Sequence, residues 1–106
     1  NPFKNWKDYI FNNDDVCPSP DELVGKTPEE IDRLARELGL TPKGPDPKNG
    51  RGAYVDPEGR QRVLIHPDGN PYPHAHVNDI DGHRLGPGGE MVDPQSPEAH
   101  LPIKWP

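Results

Sequence analysis

Residues 61–77 have the sequence QRVLIHPDGNPYPHAHV, two runs of alternating side chains around a turn at Asp68-Gly69-Asn70-Pro71. Successive side chains of a β-strand point to opposite faces of the sheet, so each run has an apolar and a polar set. The apolar sets are the core candidates, namely Val63, Ile65, Ala75 and Val77. Antiparallel pairing of the two runs then gathers the polar sets on the other face, namely Arg62, His66, His74, His76 and the following Asn78.

The neighbouring segments extend these two strands into an antiparallel meander. Upstream, Gly52–Asp56 is joined to Gln61–His66 by the turn sequence DPEGR, which predicts a hairpin. The third strand is predicted over His74–Asp79. Downstream, an Asp-Gly pair predicts a tight turn into His83–Leu85, and a last short strand is predicted around Glu90–Val92.

Two segments outside these strands are predicted to be irregular. Thr41–Gly50 has the sequence TPKGPDPKNG, and its prolines and glycines predict a loop. Residues 93–106 are spaced by prolines and predict an extended strap that packs on the domain. Its apolar side chains alternate and are candidates for that packing, namely Leu101, Ile103 and Trp105.

The clearest helix of the sequence precedes the sheet. Thr27 suits the N-cap, Pro28 the first helical position, and Glu30 completes a capping box. An apolar stripe with helical spacing follows, and Gly39 ends it, which predicts a helix over 28–38. The stripe comprises Ile31, Leu34, Ala35 and Leu38.

A shorter amphipathic helix is predicted over residues 3–11, followed by an extended linker through Cys17-Pro18-Ser19-Pro20. We therefore predict an α+β fold in which N-terminal helices pack on a small antiparallel β-meander. The whole chain is predicted to form one compact domain, with an N-terminal helix and linker at 1–22 and the catalytic part at 23–106.

Composition narrows the possible classes of protein. The 106 residues include 16 prolines and 11 glycines, which predicts short elements joined by many turns. A lone Cys17 excludes an intrachain disulfide, and no apolar run is long enough to span a membrane. The absence of a glycine-rich phosphate loop and of a GxSxG motif argues against ATP-driven chemistry and serine hydrolysis. The sequence starts at Asn1 without methionine, which is consistent with a fragment released from a longer polypeptide, whose other part could direct export, or with a shortened chain.

Charge is distributed unevenly along the chain. The net charge is −6, which argues against a protein that coats nucleic acid. The segment from Lys43 to His66 nevertheless holds five basic and three acidic residues, so it carries +2 and the remainder −8. A local basic strip on an acidic body suits a catalytic encounter with phosphate better than tight binding.

The polar face of the sheet is the candidate catalytic site. All five histidines lie in the last 41 residues, and imidazoles titrate near neutrality. One imidazole can take the proton of a ribose 2′-hydroxyl while another protonates the leaving 5′-oxygen, with no metal or cofactor. An arginine beside them would stabilise the transition-state charge. The catalytic candidates are Arg62, His66, His74, His76 and His100, and the substrate-binding candidates are Tyr54, Arg51 and Arg60.

Two of these expectations carry conditions. His100 joins the site only if the tail folds back over the sheet, and Tyr54 joins it only if its side chain shares the histidine face.

Three alternatives to a catalytic histidine site stay open. Single histidines are often only solvated surface residues. His74 and His76 are spaced as zinc ligands are, with His66, Asp68 or Asp79 as a third ligand of a metal-dependent nuclease. The chain could also be a non-enzymatic binding module of a secreted protein.

Several stretches resemble the C-terminal toxin domains of bacterial polymorphic toxins of the Rhs and contact-dependent inhibition type. The resemblance covers residues 23–103 and includes a closing pattern similar to SPxAHxPI at 96–103. The other similar stretches are Val24–Ile31, Gly52–Asp56, Arg62–Pro67 and His74–Val77.

The resemblance implies a toxin module at the end of a large secreted protein, acting in the cytoplasm of a target cell and neutralised in the producer by a cognate immunity protein. Many such modules resemble the barnase–EndoU–colicin–RelE group, in which helices precede a four-stranded meander that cleaves RNA without metal. The positions that match are Arg62, His66, His76 and His100. The acidic net charge departs from the basic character common in that group, so the RNA substrate is the expectation that it weakens most.

Overall fold

The computed structural model describes residues 17–69 and 72–105. One α-helix, α1 (Pro28–Glu37), precedes a five-stranded sheet. The strands are β1 (Thr41–Asp46), β2 (Arg51–Val55), β3 (Gln61–His66), β4 (His74–Val77) and β5 (Leu101–Pro102). They lie side by side in chain order, and all four pairings are antiparallel. The predicted α+β fold with an antiparallel meander is confirmed, although β1 and β5 were not predicted as strands. No helix of the described residues is long and apolar enough to cross a membrane.

The core lies between α1 and one face of the sheet. The four strand residues that the sequence predicts for the core are all fully buried there, namely Val63, Ile65, Ala75 and Val77. Ile31 and Ala35 of the helix are buried beside them. Register explains the shared face, because Val63 is opposite Val77 and Ile65 is opposite Ala75. The intervening side chains must therefore point to the other face.

The helix begins where its capping residues predict. The side chain of Thr27 accepts a hydrogen bond from the Glu30 amide, and the Glu30 carboxylate accepts one from the Thr27 amide. Two of the free amides of the first turn are thereby satisfied. Gly39 follows the helix with φ +97°, a conformation that suits glycine.

The predicted loop over 41–50 is wrong in its first half, where the chain forms strand β1. Proline has no amide hydrogen and is therefore confined to edge strands, and β1 is at the edge of the sheet. Glycine permits the close approach to β2. A Cβ at Gly44, where φ is +105°, would lie 2.8 Å from the Cα of Gly52. Edge position and glycine thus override the turn composition of this segment.

The segment after β4 is less regular than predicted. Residues 83–85 and 90–92 form isolated bridges, Asn78 with Arg84 and Leu85 with Met91, and no full strand. The end of the tail packs as the predicted extended strap, since β5 pairs with β4 and Leu101 and Ile103 are buried, whereas residues 94–100 form turns and a 3₁₀ helix. Trp105 breaks the predicted alternation, because it is 43% exposed. The predicted helix over 3–11 lies outside the described residues, and the division of the chain at residue 22 stays a prediction.

A candidate histidine site on the sheet

The register of β3 and β4 brings three histidines together on the face opposite the core. His66 is directly opposite His74, and Leu64 is opposite His76. The ring centroid of His66 lies 5.2 Å from that of His74 and 5.1 Å from that of His76. The rings of His74 and His76 are 4.8 Å apart. Strand alternation had predicted this juxtaposition.

A fourth histidine is contributed by the tail. A 3₁₀ turn over Pro97–Ala99 directs the chain into β5, and His100 lies between them. Its ring centroid lies 4.7 Å from His74 and 5.0 Å from His76. The tail therefore folds back over the sheet, which is the condition that the sequence had left open. We call these four residues (His66, His74, His76 and His100) the histidine cluster.

Backbone carbonyl groups fix the tautomer of three members of the cluster. The Nδ1 atoms of His74, His76 and His100 each lie 2.7–2.8 Å from a carbonyl oxygen, belonging to Tyr72, Ala99 and Ser96 respectively. A carbonyl oxygen can only accept, so each Nδ1 carries the hydrogen. In the neutral ring Nε2 then has a free lone pair. His66 Nδ1 lies 3.3 Å from His74 Nε2, close enough to donate to it.

The four rings differ in accessibility. His74 and His76 are 5% and 4% exposed, whereas His66 and His100 are partly exposed. Burial lowers the pKa of His66 and His74, and it lowers that of His76 to about 3. These three imidazoles are therefore predominantly neutral near neutral pH. Only His66 and His100 are placed to meet a substrate.

The predicted arginine of the site has another partner. Arg62 shares the histidine face but is 2% exposed, and its Nη1 lies 3.2 Å from the buried carboxylate of Asp56. Its Nε donates to the Asn78 carbonyl oxygen at 3.0 Å. These contacts tie its buried guanidinium to the β2–β3 turn and to the backbone of Asn78. The prediction that it acts on substrate loses its geometric support.

A different arginine acts on the cluster. After burial, the charge of Arg84 is among the groups that lower the pKa values of His66, His74 and His76. Its Nη1 donates to Asn78 Oδ1 at 2.9 Å, which orients the half-buried guanidinium. Arg84 is not among the site residues that the sequence predicts. Its position two residues past an Asp-Gly turn, where the chain returns beside β4, was the available clue.

Two of the three substrate-binding candidates, Tyr54 and Arg60, are engaged with carboxylates elsewhere in the domain, whereas Arg51 directly follows Gly50, which lies beside the His66 ring. Tyr54 is opposite Val63 and therefore lies on the core face of the sheet. Its hydroxyl donates a hydrogen bond to Asp32 of α1 at 2.7 Å. The prediction that Tyr54 shares the histidine face is therefore wrong. Strand alternation alone does not determine which face Tyr54 occupies, because the register of β2 against β3 shifts beside it. Arg60 forms an ion pair with Asp56 at 2.7 Å. Arg51 is exposed at the start of β2.

The surface beside His66 is concave. The pocket is formed by the turn after β3 and the 3₁₀ turn after β1, and its lining comprises Asn49, Gly50, His66, Pro67, Asp68 and Gly69. Gly69 also contacts the ring of His74 so closely that a Cβ there would collide with it. The pocket gives a substrate access to His66, and Gly69 gives His74 its space.

The cluster also meets one requirement of a metal site. One nitrogen each from His66, His74 and His76 can be chosen so that the three lie within 4.8 Å of one another. Of the third ligands expected from sequence, His66 is therefore the one that the structure supplies. Asp79 instead accepts from the backbone amides of Asp81 and His83 in its own turn.

Comparison with known proteins places this site within a family. A family model described as PT7 toxin protein matches residues 44–105, which is more than half of the chain and contains all five histidines. No curated protein matches the sequence. The matched segment begins within β1 and includes strands β2 to β5, the tail and the histidine cluster. The chain therefore belongs to the PT7 toxin protein family, and the histidine cluster lies within a toxin domain.

Proposed function

We propose that this toxin domain is a metal-independent endoribonuclease whose acid and base are the two accessible members of the histidine cluster. The observation that carries the proposal is the arrangement of the four rings. Two partly exposed imidazoles, His66 and His100, each contact the same buried pair, His74 and His76. Proton transfer at two positions around one phosphate requires such a separated pair.

The roles follow from the hydrogen bonds. His66 donates through Nδ1 to His74, whose own Nδ1 is held by the Tyr72 carbonyl, so His66 Nε2 keeps its lone pair. We assign His66 as the base that takes the proton of the ribose 2′-hydroxyl. The 2′-oxygen attacks phosphorus, the bond to the 5′-oxygen breaks, and His100 protonates that oxygen. The products are a 2′,3′-cyclic phosphate and a free 5′-hydroxyl.

Charge stabilisation falls to Arg84 in this proposal. Its guanidinium is the cation whose field reaches the histidine cluster, and it is already oriented by Asn78. A fixed positive charge beside the phosphate stabilises the additional negative charge of the transition state. His74 and His76 act as positioning residues because they are buried against the rings that meet substrate.

The biological setting is inferred from the family. Membership of a toxin family supports delivery as part of a larger secreted protein. The Rhs or contact-dependent inhibition type, and action on RNA in the cytoplasm of the target cell, are parts of the proposal that follow from the resemblance described above. It also supports a cognate immunity protein in the producing cell. Because the domain carries −6, we expect the surface of that partner to be basic.

The proposal is tested by incubating the domain with total RNA in EDTA. We expect discrete fragments ending in 2′,3′-cyclic phosphate, and we expect His66→Ala and His100→Ala each to lower the rate at least about 100-fold. His83→Ala is the matched control, because His83 is an exposed imidazole that contacts Asp79 rather than the cluster. Equal rates for all three variants, or an intact RNA pool at high protein concentration, would refute the proposal. A non-enzymatic module would keep its toxicity in the double variant His66→Ala/His76→Ala.

A further inference from the structure

We propose that His66, His74 and His76 also form a zinc-binding site on the sheet. Three histidine nitrogens within 4.8 Å of one another, on two adjacent strands of one sheet, are the observation on which this rests. The strands are hydrogen-bonded neighbours in the middle of the meander, so the spacing of the three side chains is fixed by the backbone.

The distances agree with tetrahedral coordination. Zinc–nitrogen bonds of about 2.0–2.1 Å at tetrahedral angles place two ligand nitrogens about 3.4 Å apart. His66 Nδ1 and His74 Nε2 are already 3.3 Å apart. The widest pair of ligand nitrogens, at no more than 4.8 Å, has to close by no more than about 1.4 Å, which rotation of side chains can supply.

The surrounding hydrogen bonds are those of a metal site. Histidine ligands of metals usually donate their second ring nitrogen to a carbonyl or carboxylate, which orients the ring. His74 donates to the Tyr72 carbonyl and His76 to that of Ala99, so both rings present Nε2 to the cluster. In the neutral ring, Nε2 then carries the lone pair that can bind an ion.

The donor set selects the ion. Three neutral imidazoles suit zinc and related transition metals, whereas calcium and magnesium require oxygen ligands. A fourth position remains for water. The described residues contain one other group of potential ligands, in the turn that follows β4, namely Asp79, Asp81 and His83. The Asp79 carboxylate already accepts hydrogen bonds from the backbone amides of that turn.

Zinc at this site would regulate the activity proposed above, an effect that rests on the proposed function. Coordination through Nδ1 of His66 moves the hydrogen of that ring to Nε2. The lone pair that would take the 2′-hydroxyl proton is then lost. Zinc ions should therefore stop RNA cleavage, and a chelator should restore it.

The test is a calorimetric titration of the EDTA-stripped domain with Zn²⁺, repeated with Co²⁺ to record the visible absorption of a tetrahedral complex. We expect one ion per chain for the unaltered domain and for the control His83→Ala. We expect His74→Gln to weaken binding by more than the roughly 10–100-fold typical of losing an outer hydrogen-bond partner. His66→Gln provides a second variant at a partly exposed position, in case His74→Gln does not fold.

The outcomes for binding and for activity are separate. Absence of bound zinc in the unaltered domain, or loss of binding in His83→Ala with retention in both glutamine variants, would overturn the zinc site. Zinc binding without any RNA cleavage would support the site and overturn the endoribonuclease. Cleavage that requires zinc would support the site and overturn the metal-independent mechanism. Cleavage in EDTA that zinc abolishes is the result expected from both proposals.

Discussion

At the scale of single residues, burial decides which histidines can act. His76 is 4% exposed, and its Nδ1 is committed to the Ala99 carbonyl. His66 and His100 are the rings that remain accessible. A buried imidazole contributes by holding its neighbours in place, whereas an accessible one contributes by exchanging protons with substrate. The four rings thus form one cluster with two kinds of members.

The burial of these rings makes stability depend on pH. In the unfolded chain histidine titrates at about 6.5, whereas burial lowers the folded pKa of His66, His74 and His76. Below about 6.5 the unfolded state therefore binds more protons, so stability is full above that pH and falls as the pH decreases toward the folded pKa values.

We predict that the free energy of unfolding in EDTA falls between pH 6.5 and pH 5, by about 2 kcal/mol from His76 alone. Urea unfolding at several pH values measures it. His76→Gln retains a polar side chain that does not titrate, so its stability should change less over this range. An equal pH dependence in the two proteins would contradict the prediction.

Gly69 determines the position of His74. A Cβ at this position would collide with the imidazole, although the backbone there is not in the left-handed region. We predict that Gly69→Ala displaces the His74 ring and costs about 1–3 kcal/mol of stability. RNA cleavage should fall by a larger factor than the folded fraction. Gly88→Ala is the matched control, because its Cβ would meet only the mobile carboxylate of Glu90. Equal behaviour of the two variants would show that Gly69 has no positioning role.

At the scale of elements, the sequence predicts those whose local pattern agrees with their place in the fold. The capping box defines the start of α1, and alternation of apolar side chains defines β3 and β4. Strand β1 has no such pattern, since four of its six residues are exposed and two are prolines. Its strand conformation comes from pairing with β2, which is a tertiary effect that local composition does not contain.

The capping box also makes a quantitative prediction for α1. Thr27→Ala removes the side-chain acceptor of the Glu30 amide, and we expect it to lower the free energy of unfolding by about 1 kcal/mol. Thr27→Ser retains the hydroxyl and should be close to the unaltered domain. Chemical denaturation compares the two variants. Since α1 covers the core face and the histidine cluster lies on the opposite face of the sheet, RNA cleavage per folded molecule should be the same in the two variants.

At the scale of the whole molecule, the tail completes both the core and the site. Leu101 is fully buried against the sheet, while the neighbouring carbonyl of Ala99 holds His76 and His100 packs on the rings. The sequence predicted the three strand histidines because alternation is a local property. It left His100 conditional and missed Arg84, since both reach the site through long-range return of the chain.

We predict that Leu101→Ala lowers stability by about 2–5 kcal/mol and also lowers RNA cleavage, because the strap loses its anchor. Trp105→Ala, at the exposed end of the same strap, should change both quantities little. Thermal unfolding and the RNA assay are measured on each variant. A larger loss of stability from Trp105→Ala than from Leu101→Ala would show that the strap is anchored elsewhere.

The two edges of the sheet are both closed to further strands. On one side β1 carries Pro42 and Pro45, which offer no amide hydrogen to an approaching chain. On the other side the segment before α1 covers β5, with the Gly25 amide bonded to the Pro102 carbonyl and the Lys104 amide to that of Lys26. The prolines of β1 and the covered edge at β5 therefore hinder strand-to-strand pairing between copies of the described domain. A proposed neutralising partner would then recognise the domain through side chains, so its specificity could diverge with single surface substitutions while the fold stayed the same.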